Sequence, residues 1–379
     1  MSKERTPLSL YVHFPWCIQK CPYCDFNSHS VKGHIPEQKY LDALLADLDC
    51  DLSLISDRRI NSIFFGGGTP SLISGVGMEY FLAQLDQKIS LLQTAEITLE
   101  ANPGTVDSDH FSQYRKAGIN RLSIGVQSFR DQQLKELGRI HSAGEATYAY
   151  ETARDSGFEN INLDLMFGLP GDDLEGSLYD LEQAIKLKPE HISWYQLTME
   201  PNTLFYQQKP TLPSDDLIWE FQDTGQSLLK ESDYLQYEIS AYAREGLQCR
   251  HNLNYWKFGD YLGIGAGAHS KISNSGKEVE RFSKCRHPKQ YMMDNDLRVN
   301  RRNLSKEDII LEFMMNALRL NEGFYVEEFE SRTGLNISEL NQTMEIALKK
   351  ELIKQSQNQI KPTEKGRLFL NDLLAIFSG

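Results

Sequence analysis

The chain runs to 379 residues, 40% hydrophobic and 25% charged, which suits one large domain with an appendage and a substantial core. Lys and Arg number 40 against 53 Asp and Glu, and the formal net charge of −13 argues against general nucleic-acid binding. No run approaches the ~18 apolar residues of a membrane span, and residues 1–7 lack the apolar stretch of a secretory signal. A cytoplasmic protein, not an integral membrane protein, is therefore expected.

In chain order, strand patterns fall at residues 8–14, 62–65, 96–100, 121–126, 161–167 and 191–197. Amphipathic helical stretches lie between several of them: Leu41, Leu44, Leu45 and Leu48; Met78, Phe81, Leu82 and Leu85; Leu174, Leu178, Leu181 and Ile185. Strands joined by helices imply parallel βα units, with ligands at the carboxyl ends of the strands. Residues 1–235 are assigned to this domain.

From about residue 235 the alternation stops. Residues 236–303 read as a connecting segment of loops and a short strand, with 281–302 a basic connector. Residues 304–379 read as a separate domain: helices at 307–320, 326–333 and 338–351, a hairpin at 353–362 and a last helix at 364–377. That pattern is winged-helix-like, but its mixed charge favours packing or interaction over DNA binding.

Of six cysteines, three form Cys17-x-x-x-Cys21-x-x-Cys24 after the first strand. In a chain of this size, a cluster suggests metal or redox chemistry over disulfides. Three thiolates on one loop suit a four-iron cluster with one iron left open for a ligand. Structural zinc is the competing reading, with His13 and His29 flanking the loop, although no second Cys-x-x-Cys pair follows. Cys50 reads as a core residue of its helix, Cys249 as ordinarily buried and Cys285 as an incidental thiol.

The run Tyr11-x-His13-x-Pro15-x-Cys17-x-x-x-Cys21-x-Tyr23-Cys24 resembles the opening motif of radical S-adenosylmethionine (SAM) enzymes of the coproporphyrinogen-oxidase-like branch. The resemblance implies a partial (β/α)6 barrel holding a [4Fe–4S] cluster on Cys17, Cys21 and Cys24, with SAM on the open iron. One-electron reduction of that cofactor then gives a 5′-deoxyadenosyl radical. It further implies that Tyr11 belongs to the cofactor-binding set, and that Gly67, Gly68 and Thr69 meet the SAM amino group together with Glu100. By the same resemblance, Arg139 pairs with the carboxylate, Gln127 and Asp164 hold the ribose, and Tyr23, Gln196 and the region of Ala268–His269 lie near the adenine.

Within that branch, the decarboxylating coproporphyrinogen III dehydrogenases usually carry a fourth cysteine two residues after the third, and an amino-terminal extension. Here Phe26 stands in that place and only sixteen residues precede Cys17. Both features are similar to the HemW-type haem chaperones, as is His251-Asn252-x-x-Tyr255-Trp256. That resemblance implies haem as cargo, a haem-acceptor protein, an electron donor to the cluster, and His251 as the haem ligand. From the residues alone, His251 is equally a hydrogen-bonded packing residue.

Overall fold

The computed structural model describes residues 6–55, 58–274 (Asn274 by backbone alone), 278–293 and 297–378, and its first strand shows how the sheet is made. In β1 (Leu8–Phe14), Leu8, Leu10, Val12 and Phe14 are buried on one face, with Phe14 packed on Tyr40 of the helix Glu37–Asp51. Ser9, Tyr11 and His13 occupy the alternate positions and point the other way. The same division runs through β2 (Arg59–Gly67), β3 (Ser90–Ala101), β4 (Arg121–Gln127), β5 (Ile161–Phe167) and β6 (His191–Gln196). Their apolar set packs under helices, while the other set meets inside the curve of the sheet. There Ser9 reaches Ser62 at 2.7 Å, Asn162 donates to Ser123 at 2.7 Å, and Tyr195 donates to Gln127 at 2.8 Å.

All six strands run parallel, in the order of the chain. The covering helices bury the residues their spacing predicts: Leu41, Leu44, Leu45 and Leu48 in Glu37–Asp51, then Met78, Phe81, Leu82 and Leu85 in Gly75–Lys88. In Leu174–Leu187 only Leu181 of the four predicted residues is fully buried. Cys50 departs from its expected core position and is exposed. It lies on the solvent side of a helix whose apolar stripe runs along the opposite face.

The segment after residue 235 extends this sheet at both ends. β7 (Leu235–Glu238) and β8 (Ala241–Ala243) add antiparallel beyond β6. β9 (Asp260–Ile264) returns to the opposite edge and pairs parallel with β1, continued antiparallel by β10 (His269–Asn274), β11 (Glu278–Lys284) and β12 (Arg298–Asn303). The result is a 12-stranded sheet in the order β12-β11-β10-β9-β1-β2-β3-β4-β5-β6-β8-β7. Residues 281–302, expected as a connector, thus contribute to two strands. Charge hid them: β12 is an edge strand of Arg and Asn, and β11 buries Glu280 and Lys284 through ion pairs rather than through apolar alternation. Lys284 sits between Asp47 and Asp51 of the first helix, and Asp47 also accepts from Tyr291 at 2.7 Å and from Gly265 N at 3.1 Å.

The carboxyl-terminal part has its own core, in which Phe313 packs on Phe324 and Phe329 with ring centroids 5.0 and 5.1 Å away. Helices Lys306–Ala317, Val326–Thr333 and Asn341–Lys349 accompany a three-stranded wing, in which β13 (Phe324–Tyr325), between the first two helices, pairs with the later hairpin of β14 (Ile353–Ser356) and β15 (Gln359–Pro362). The expected last helix is broken at Phe369 into Glu364–Leu368 and Leu370–Ala375. Arg319 fastens this unit to the barrel, pairing with Glu238 at 3.0 Å and lying 4.3 Å over the Trp256 ring.

Candidate cofactor site and a neighbouring cavity

The cysteine loop begins where β1 ends. Trp16–Cys17 pairs with His29–Ser30, and Val31 N donates to Cys17 O at 2.8 Å, so the loop is pinched shut at its base. Cys17, Cys21 and Cys24 all line one cavity of about 480 Å³ at the carboxyl ends of the strands. The Gly-rich turn after β2 lies against this base, with Gly68 N donating to Phe14 O and Thr69 N to Trp16 O, each at 2.7 Å. A Cβ at Gly67 would stand 2.4 Å from the His13 ring, and one at Gly68 would stand 2.5 Å from Trp16 O. Gly67 also has φ +109°, which L side chains rarely adopt. The glycines therefore let the turn dock on the cysteine loop.

Burial pushes the Cys17 and Cys24 thiols up, against the hydrogen bonds that Thr69 and Ser28 offer. A bound metal centre reverses that balance, because a coordinating thiol gives up its proton. Among the described residues, no three His, Cys, Asp or Glu side chains are arranged around a single-ion position. A cuboidal cluster requires something different, thiolates reaching separate irons from one cavity wall, and these three do line one wall.

The other walls come from successive strand ends. Glu100 accepts from Gly67 N at 3.2 Å; burial, with Asp164 nearby, raises its carboxyl to about 8. Asp164 is likewise raised by burial but is held by Asn162 at 2.8 Å and Ser123 at 3.0 Å. Gln127 ends β4 with φ +70°, an unusual conformation for a side chain of its kind, and accepts from Tyr195 OH. Arg139 donates to Gly125 O at 2.8 Å and reaches Cys21 Sγ at 3.6 Å, while its buried Nε has no partner among the described residues. Tyr23 and Gln196 also line it. Twelve of the expected site residues (Cys17, Cys21, Tyr23, Cys24, Gly67, Gly68, Thr69, Glu100, Gln127, Arg139, Asp164 and Gln196) thus meet in one cavity.

Tyr11 and His251 are placed elsewhere. Tyr11 lines a second cavity of about 400 Å³, beside His13, Tyr255, Tyr261, His269 and Arg286. The two cavities share Asp25, Phe26, Gly67 and Glu100 as a common wall. His251 lines neither. It is buried below the second cavity, with Nδ1 on Ser62 at 3.0 Å, Nε2 without a partner among the described residues, and its ring 5.0 Å from Phe64 and 5.1 Å from Tyr255. Burial lowers it to about 3, so the imidazole is neutral. The helix Arg250–Trp256 therefore divides the motif three ways: His251 to the barrel interior, Tyr255 to the second cavity, and Trp256 to Arg319 of the carboxyl-terminal unit.

Sequence reading passed over the supports of the first cavity. Ser123, Asn162, Ser193 and Tyr195 hold Asp164 and Gln127, and all four lie on the inward alternation of their strands. Arg130 clamps the turn after β4 to Asp172 and Asp180, each at 2.8 Å.

Residues 11–181 match the family model of the Radical SAM superfamily, and residues 304–369 match the HemN C-terminal domain. The chain is 51% identical over 375 residues to "Heme chaperone HemW" of Haemophilus influenzae and 49% identical over 371 residues to that of Escherichia coli, covering 98% of both chains in each case. Among solved structures, the coproporphyrinogen III oxidase HemN of Escherichia coli aligns with a TM-score of 0.84 at 23% identity, over 100% of this chain and 91% of that one. That likeness establishes a common fold.

Proposed function

The chain belongs to the HemW family of radical SAM proteins, and from this we propose that it is a haem chaperone carrying a [4Fe–4S] cluster and SAM, which delivers haem to an acceptor protein. Its full-length identity to two named haem chaperones carries this reading. The fold shared with an oxidase does not separate the two activities. Phe26 favours the chaperone: it occupies the place of the fourth cysteine and stands 58% exposed at the wall between the two cavities.

On this reading Cys17, Cys21 and Cys24 hold the cluster. Arg139, whose buried Nε has no partner among the described residues, faces the SAM carboxylate, and Glu100 faces its amino group. Asp164 and Gln127, each fixed by neighbouring side chains, hold the ribose. Together the bound groups supply one-electron chemistry, fed by an electron-donor protein. The residues of the chain orient the cofactor and exclude water from it. The proposed setting is the cytoplasm, where thiols stay reduced. No helix among the described residues is long and apolar enough to cross a membrane.

The test is a paired assay on the anaerobically reconstituted full chain. Titrated haem should produce a Soret band, and reduced protein with SAM should leave coproporphyrinogen III unchanged. Protoporphyrinogen formation would overturn the chaperone assignment.

A further inference from the structure

We propose that His269 supplies the iron-binding nitrogen for haem seated in the second cavity. The proposal rests on the haem-carrying reading above and assigns that cargo a place and a ligand.

Two histidines line this cavity, and they differ in what their rings already do. His13 is fully used, with Nδ1 on Tyr11 OH at 3.0 Å and Nε2 on Asn27 O at 2.9 Å. His269 is exposed, and no hydrogen bond to its ring is found among the described residues. Haem iron needs a neutral imidazole with a free nitrogen. Partial desolvation at the cavity wall, with Arg281 and Arg286 nearby, lowers the His269 pKa and so favours that neutral form. His251 also has a free nitrogen, but it is enclosed beneath Tyr11, Phe64 and Tyr255. The cavity tyrosines are poor alternatives, because burial raises Tyr11, Tyr255 and Tyr261 and keeps them phenolic.

The surroundings suit a flat, largely apolar ring with carboxylates on its edge. Tyr255 and Tyr261 form an aromatic wall with ring centroids 4.3 Å apart, and Phe26 stands at the rim. Arg286, exposed at the same rim and without an ion pair among the described residues, is placed to meet a propionate. The imidazole is also held on a fixed base. Gly267 N donates to Cys285 O at 3.0 Å, Lys284 N donates to Ala268 O at 2.8 Å, and His269 opens the β10–β11 ladder opposite Ser283.

The experiment is a titration of ferric haem into the anaerobically reconstituted full chain, wild type against His269→Gly. Iron–sulfur absorbance and circular dichroism serve as controls for the fold. The variant should lose the imidazole-ligated spectrum and about tenfold or more in affinity, and free imidazole should restore the spectrum. An unchanged Soret band and affinity in His269→Gly would remove His269 as ligand while leaving the chaperone reading intact. A loss that imidazole fails to restore, in a variant with intact controls, would also overturn the proposal. Absence of haem binding by the wild type would instead defeat the underlying reading.

Discussion

The two cavities share a wall and are made of opposite materials. The cluster cavity is assembled from the ends of consecutive βα units, and its polar groups are charged or poised to be: Glu100, Asp164, Arg139 and three thiols. The second cavity draws on distant parts of the chain, namely β1, a seven-residue helix and the turn before β10, and its distinctive groups are phenols and imidazoles. A scaffold of repeated strand ends can set several charges around a zwitterionic cofactor. A pocket of aromatic rings can receive a broad apolar face, and sharing only Gly67, Glu100, Asp25 and Phe26 keeps the two tasks largely separable.

That separation can be broken most directly at the thiols. Replacing Cys17, Cys21 and Cys24 with Ala should abolish the iron–sulfur absorbance completely and leave the Soret titration in place; loss of both would show that the cavities are one unit. Next in size is Lys284→Met, which takes the paired cation from the buried Asp47 and leaves Asp51 with Arg298 alone, and should cost about 3–5 kcal/mol in urea unfolding. Because Asp47 also holds Gly265, this change should weaken haem binding more than SAM binding.

Arg139→Ala should lower SAM affinity about 10–100-fold by calorimetry while haem affinity holds. Glu100 gives a subtler signature. With its carboxyl raised to about 8, the folded protein keeps a proton that the unfolded chain releases near 4.5, so this group's contribution to stability falls as pH rises from about 4.5 through 8. An ammonium ligand favours the ionised form. SAM binding should therefore strengthen from pH 6.5 to 8, by at most about tenfold per unit, and Glu100→Gln should flatten that slope. The smallest effect is expected at the rim, where Arg286→Ala should weaken haem about two- to fivefold without touching SAM.

The barrel and its cofactor wall were legible because a few polar residues stand within or just after apolar strand runs, where an unpartnered polar group is costly. Asp164 after Leu163, and Gln127 after Val126, stand out for that reason. The supporting set was legible in principle through the two-residue period: His191, Ser193 and Tyr195 alternate with Ile192 and Trp194, yet attention to the apolar partners hides them. The edge strands were not legible, since Lys284 and Glu280 are buried by ionic partners from remote segments that no local pattern reveals. The His251–Trp256 motif fails differently. On a helix, residues i and i+4 share a face, so His251 meets Tyr255 edge to face, while Trp256 turns about 100° away toward another domain.

The parallel pairing of β9 with β1 carries a consequence for synthesis. Until residue 264 has left the ribosome, β1 presents an open hydrogen-bonding edge beside the cysteine loop, and that edge is a template for mispairing. A chain truncated after β6 should consequently aggregate rather than accumulate as a half-barrel, and metallocentre insertion is best timed after translation has passed the returning strand.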